Sequence, residues 1–214
     1  DGIEKVTGKA LYGADINLSG SIYGKILRSP YAHAKILSID TGAAKDLPGV
    51  FAVLTSEDLI KKHTEMYKDL EGTLTSLKYL SNNVLAEGKV LYVGHAVAAV
   101  AAVSPHFALE ALSLIKVEYE VLNPVTDVKS SMDEPAPILL ETPITVSPRP
   151  EKFESTNIVG HCEFSRGDVQ FGFNQADIVV ETEYTTQTVH QGYIEPQSAT
   201  ALWSEDDSQL KIWC

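Results

Sequence analysis

The chain has 214 residues, 44% hydrophobic and 21% charged, which is the make-up of an ordinary globular protein with room for one large domain or two smaller ones. A formal charge of −12, from 29 acids against 17 bases, argues against nucleic acid, whose binding rests on Lys and Arg neutralising phosphates. No run approaches the roughly 20 apolar residues of a membrane span, and the opening residues lack the basic-then-apolar pattern of a secretory leader.

Ser21 to Arg28 has strand character and ends at Ser29-Pro30, where proline removes a ladder donor. Lys35 to Asp40 reads as a second strand, and a short helix is expected over Thr41 to Leu47, closed by Pro48-Gly49. Val50 to Leu54 is a continuous apolar run, the pattern of a strand buried on both faces. Thr55 and Ser56 are candidate helix caps, and Glu57 and Asp58 suit the positive end of a helix dipole. Lys61-Lys62-His63, followed at once by Glu65, reads as a solvated helix face. Residues 64–88, with two glycines, two adjacent asparagines and scattered charge, read as a long excursion loop.

Val97 to Val103 is expected to be a buried strand. Ser104 then caps a helix with Pro105 at its first position, where a missing N–H costs nothing. His106, Glu110 and Ser113 make one polar stripe, and Phe107, Ala108, Leu109, Ala111, Leu112 and Ile115 cover the remaining surface. Val117 to Val121 alternates as a half-exposed strand. Strand, helix and strand form a compact crossover, right-handed if the two strands are parallel. Asn123 to Asn157, punctuated by Pro124, Pro135, Pro137, Pro143, Pro148 and Pro150, reads as an extended linker; Ile138-Leu139-Leu140 and Ile144 hold it against a surface. Ile178 to Thr186 is a long β-branched strand by composition. Ala199, Ala201 and Trp203, then the acidic turn Glu205-Asp206-Asp207-Ser208, then Leu210, Ile212 and Cys214 predict a hairpin. Because the chain stops in mid-strand, it is expected to be a fragment.

The chemical inventory is thin. Neither a G-x-x-x-x-G-K-[ST] loop nor a G-x-G-x-x-G turn occurs. His190 and Glu195 do not have a metal-ligand spacing, so His190 reads as a hydrogen-bonded packing histidine. Glu195 precedes Pro196, which pushes it into extended geometry beside Tyr193. A buried carboxylate there needs donors; it is a structural tie in preference to a general base. Arg28 either binds an anionic ligand or pairs with an acid such as Asp40, and the ion pair is preferred. His95 is expected to shape a tight turn between two strands. Cys162, beside His161, has no basic helix terminus to activate it as a nucleophile. Cys162 and Cys214 lie far apart with no C-x-x-C pair, which disfavours an internal iron–sulfur or structural zinc site and fits a reducing, cytoplasmic compartment.

Taken in order, the stretches KVTGKALYGADI, YGKILRSPYAHAKILSIDT, PGVFAVLTSEDL, VLYVGHAVAAVAA, ALEALSLIKVEYE, FNQADIVVETEY, HQGYIEPQSATALW and LKIW cover nearly the whole chain. This series resembles the N-terminal part of the molybdenum-binding large subunit of the xanthine dehydrogenase, aldehyde oxidase and carbon monoxide dehydrogenase family. The resemblance implies an α+β fold: an α/β hammerhead domain over residues 1–135, an extended linker over 136–156, and over 157–214 the truncated beginning of the first molybdopterin-binding α/β domain. It implies an oxidoreductase that, at full length, hydroxylates an electron-poor carbon or oxidises CO in one branch, at a molybdenum–molybdopterin centre. Expected partners are a small-molecule substrate, a 2Fe-2S iron–sulfur subunit and an FAD-binding subunit, assembled as a homo-oligomer of heterotrimers.

By that resemblance the family's glutamine near the metal, its glycine-rich phenylalanine loop and its catalytic glutamate all fall beyond Cys214. No catalytic, cofactor-binding or metal-binding residue is therefore expected within the 214, no cofactor is expected on the fragment itself, and His190, Gln191 and Glu195 read as scaffold. Two other readings stand beside this one: a non-enzymatic hammerhead module for assembly or docking, and, ranked behind it, a hydrolase built on Glu195 and His190.

Overall fold

In the computed structural model, residues 2–59, 66–68, 74–133, 135–140, 157, 158, 160–194, 196–206 and 208–214 are described. In chain order they form α1 (Gly2–Val6), β1 (Tyr23–Arg28), β2 (Ala34–Asp40), α2 (Gly42–Lys45), β3 (Val50–Thr55), β4 (Met66–Lys68) and β5 (Leu74–Ser76). Then come α3 (Leu77–Val84), β6 (Lys89–Val90), β7 (Ala96–Ala102), α4 (Pro105–Leu114), β8 (Lys116–Val121), α5 (Val169–Gln175), β9 (Thr200–Trp203) and β10 (Leu210–Trp213). The chain divides into two units, Ile22–Ser165 and Asp1–Ser21 together with Arg166–Cys214.

In the larger unit the apolar run AVAAVAA forms the middle strand of an antiparallel sheet ordered β1-β7-β3. Ala98, Val100 and Ala102 join Ala44, Val53, Ala108, Ala111 and Ile115 in one buried cluster under α4. Alanine at 108 and 111 lets the helix lie close to the small side chains of β7. Ser104 accepts the Phe107 N–H at 3.3 Å and Pro105 follows it, so α4 starts where the sequence predicts. Val97 joins Ala34, Ala86 and Val90 in a second cluster, with Ile39 and Val117 touching both. Burying a valine as fully as Val97 or Val100 contributes on the order of 1.5–3 kcal/mol.

A second antiparallel sheet is ordered β6-β2-β8. Ile36 faces Tyr119 and Ile39 faces Val117 across the ladder, while Lys35 pairs with Glu120 at 3.0 Å and the Ser38 hydroxyl donates to Glu118 at 3.0 Å. The ladder thus alternates apolar and polar pairs, interrupted by a bulge between Ile36 and Ser38.

Several expectations change here. β7 and β8 do not share a sheet, so no parallel crossover forms; both edges of β7 are already occupied by β1 and β3, and β8 pairs with β2 instead. β3 is an edge strand, with Phe51 65% and Leu54 43% exposed, because an apolar run cannot reveal how many neighbours a strand has. The supposed loop at 64–88 contains the short pair β4–β5 followed by α3. The predicted 41–47 helix is a single turn, Gly42–Lys45, and the segment capped by Thr55 is a 3-10 turn over Ser56–Asp58. Lys61-Lys62-His63 and Glu65 lie outside the described residues, as does most of the linker, residues 141–156. Asn157 ties the two ends of that stretch together: it accepts the Leu139 N–H at 3.0 Å and donates to the Ser131 and Pro137 carbonyls, each at 3.0 Å.

In the smaller unit, Asp168 caps α5 by accepting the Phe171 N–H at 2.9 Å. β9 and β10 form the predicted antiparallel hairpin, with Leu210 opposite Trp203 and Ile212 opposite Ala201. Gly13 lies so close to the Ser198 hydroxyl that a Cβ there would overlap it. Residues 178–186 do not form a strand. Their β propensity is real, yet a strand exists only through its ladder partner, and none pairs with them among the described residues.

Candidate functional site

The polar chemistry of the larger unit gathers where β1 leads into β2. Ser29, His33 and His95 are its buried polar side chains among the described residues. The Ser29 N–H donates to the His95 carbonyl at 2.9 Å, and the Gly94 N–H returns a bond to the Ser29 carbonyl at 2.8 Å. The Ser29 hydroxyl donates to the Tyr31 carbonyl and accepts the Tyr31 N–H, both at 3.0 Å. Tyr31 meets Tyr119 edge-on at 5.2 Å. Burial pushes the Tyr119 phenol above its ordinary pKa, and a hydrogen bond with the Ser29 side chain opposes that shift.

Arg28 does not pair with Asp40. Its guanidinium donates to the Gly94 carbonyl at 2.8 Å, whereas the Asp40 carboxylate accepts the Gly42 N–H at 3.0 Å. The Ser29-Pro30 break directs Arg28 across to the loop before β7, a long-range outcome that charge counting along the sequence cannot supply.

His33 donates from Nδ1 to the Asn123 carbonyl at 2.7 Å, and its buried Nε2 has no hydrogen-bond partner among the described residues. His95 does shape its turn. Nδ1 accepts the Leu91 N–H at 3.2 Å, and Nε2 donates to the Asn82 carbonyl at 2.8 Å. Burial is the larger influence on this ring and lowers its pKa below 6.5. The bond to Asn82, from a helix that the sequence does not announce, is the feature that sequence reasoning misses.

The segment that includes His190 is different in character. His190 accepts the Gly192 N–H on Nδ1 at 3.0 Å, a bond made possible by Gly192 turning to φ +69. It is exposed rather than packed, and so are Gln191, Tyr193 and Ile194. The expectation of a packing histidine is therefore corrected: its ring is held by a local turn. Glu195 lies outside the described residues. Cys162 and Cys214 are exposed free thiols. Chemically, these arrangements fix turns and join strands; they do not bring a nucleophile, a base and an acid together.

Two family models match in sequence. Residues 7–123 match the aldehyde oxidase and xanthine dehydrogenase a/b hammerhead domain, and residues 151–214 match a molybdopterin cofactor-binding domain. The chain is 37% identical to a probable xanthine dehydrogenase polypeptide of Bacillus subtilis (strain 168), covering 100% of this chain and 25% of that relative. It is 32% identical to the carbon monoxide dehydrogenase large chain of Afipia carboxidovorans, covering 96% of this chain and 25% of that one. Among solved structures, quinoline 2-oxidoreductase from Pseudomonas putida 86 aligns at a TM-score of 0.76 and 30% identity, over 99% of this chain and 25% of that one. The chain thus spans about a quarter of the length of the curated relatives it matches.

The residues present do not by themselves make a molybdenum–molybdopterin site. Among the described residues no three His, Cys, Asp or Glu side chains gather to hold a metal ion, and residues 160–194 are exposed throughout. No helix among them is long and apolar enough to cross a membrane. With the hammerhead model matched over 7–123 and relatives aligned over nearly every residue, the chain belongs to the aldehyde oxidase and xanthine dehydrogenase family.

Proposed function

We propose that this chain is the N-terminal part of the large subunit of a molybdenum hydroxylase. The observation that carries the proposal is the hammerhead match followed by the molybdopterin-domain match in a single chain, in that order. In this reading residues 1–135 are the hammerhead domain, 136–156 the linker and 157–214 the beginning of the first molybdopterin-binding domain. The grouping of Asp1–Ser21 with Arg166–Cys214 makes the leading residues a strap that belongs by contact to the second body.

The complete subunit would carry out oxidative hydroxylation of a small molecule, the cofactor supplying the redox chemistry. Residues of this chain would act as scaffold: the knot at Arg28, Ser29 and His95 sets the strand ends, and no catalytic or metal contact falls on it. Separate subunits bearing 2Fe-2S and FAD would carry electrons away, in a cytoplasmic complex built as a homo-oligomer of heterotrimers. Support comes from relatives whose own names are those of one subunit or one large chain of a dehydrogenase.

The deciding experiment is co-expression of the complete gene with its neighbouring genes. Molybdenum in one-to-one ratio with the large subunit and substrate-dependent dye reduction are expected. A complete subunit that purifies folded, with its partners, and without molybdenum defeats the proposal.

A further inference from the structure

His95 closes the loop between β6 and β7 and is 0% exposed. Each ring nitrogen is committed to a backbone group of a different segment, Leu91 and Asn82. A carbonyl can only accept and an amide N–H can only donate, so the ring carries its single proton on Nε2 and is neutral. Asn82 lies in the last turn of α3, where carbonyls lack N–H partners from their own helix. The imidazole is therefore a cap on that helix supplied from a distance.

Other contacts tighten the same place. Tyr92 stacks on the ring at 4.4 Å and 14°, and its hydroxyl donates to the Asn83 side chain at 3.1 Å. The Asn82 side chain accepts the Glu87 N–H at 2.7 Å, and the Ala86 N–H reaches the Ala96 carbonyl at 2.8 Å.

A second proton, on Nδ1, would set N–H against the Leu91 N–H and leave a cation in a buried position. The titratable groups on the surrounding elements are Tyr92 on the same loop, Lys78 on α3, Glu87 and Lys89 on the approach to β6, Arg28 on Gly94, and Tyr119 through Ser29. No carboxylate is among the influences on the ring, which are burial and the Asn82 carbonyl.

We propose that His95 is an acid-released clasp: proton uptake at Nδ1 frees Leu91 and lets residues 77–91 open as a local unit while the two sheets stay folded. This rests on the geometry of the larger unit alone and is independent of the assigned reaction. The sign follows from the neutral closed ring. In the open form the imidazole has its ordinary pKa of about 6.5 and takes a proton first. Stability of the closed form is complete above that pH and is lost as pH falls below it, until the lower folded pKa is reached. The opening constant rises about tenfold per pH unit through that window.

Amide hydrogen exchange on the full chain between about pH 7.5 and 5.5, corrected for intrinsic rates, tests this. Protection across 77–91 should fall about tenfold between pH 6.5 and 5.5, while the amides of β1 and α4 hold. His95→Gln keeps a donor for Asn82 but cannot titrate, so its profile should be flat. The proposal is overturned by pH-independent protection at 77–91 in the unmodified chain, by an equal slope in His95→Gln, or by simultaneous loss in β1 and α4. Should the variant not fold, the profile of the unmodified chain decides alone.

Discussion

Gly49 and Val103 lie back to back: the Val103 N–H donates to the Gly49 carbonyl at 2.9 Å, and a Cβ on Gly49 would come within 3.0 Å of the Val103 side chain. Gly49 also holds φ +93, a backbone region that L side chains rarely adopt. Gly49→Ala therefore meets strain and crowding together. A loss of about 1–3 kcal/mol is expected in urea unfolding. An unchanged midpoint would show that the turn into β3 relaxes freely.

Ser104→Ala removes the side-chain acceptor at the head of α4 and should lower stability by about 1 kcal/mol. Ser113 is the internal control. Its hydroxyl donates to the Glu110 carbonyl on the exposed stripe, so Ser113→Ala should fall within about 0.5 kcal/mol of the parent. Equal effects from the two would remove the cap from the account.

Asp206 accepts from the Ser204 hydroxyl at 2.6 Å and from the Ser208 hydroxyl and N–H at 2.8 and 3.2 Å. These bonds, Ser204 first, bring its carboxyl down to about 2 from 3.8. Because the folded value is the lower one, the contribution to hairpin stability is present above 3.8 and is lost as pH falls through about 2. Carbon-13 titration of the carboxyl should show the low midpoint in the parent and a rise toward the ordinary value in Ser204→Ala. A midpoint indifferent to that change would discard the Ser204 bond as the cause.

Asn157→Ala would strand the Leu139 N–H and the carbonyls of Ser131 and Pro137. The expected cost is on the order of 1–3 kcal/mol, confined to the tail of the larger unit. Limited proteolysis is the readout, with new cleavage near residues 131–139. A digestion pattern identical to the parent's would speak against the anchor.

What could be read from the sequence had local causes. Ser104-Pro105 announces a helix start because cap and first-turn chemistry act between neighbours. The β9–β10 hairpin is legible because alternation and an acidic turn sit side by side. Phe51 is misjudged because strand burial depends on what else joins the sheet. α3 escapes notice because Asn82 and Asn83 are poor helix formers and the cap comes from His95, outside the helix. Arg28 finds Gly94 rather than Asp40 for the same reason: the partner is set by the assembled sheet. His190 is legible as a hydrogen-bonded ring, while its exposure is not.

The order β1-β7-β3 has a consequence for how the chain is made. Tyr23 and Val50 both await Ala102, so the outer strands leave the ribosome well before the one that joins them. Until the alanine-valine strand emerges, neither has a neighbour in that sheet, and assembly must close long loops before any ladder bond rewards it. Synthesis thus passes through an interval in which two bare strand edges are exposed to other nascent chains, when binding by a chaperone would protect most.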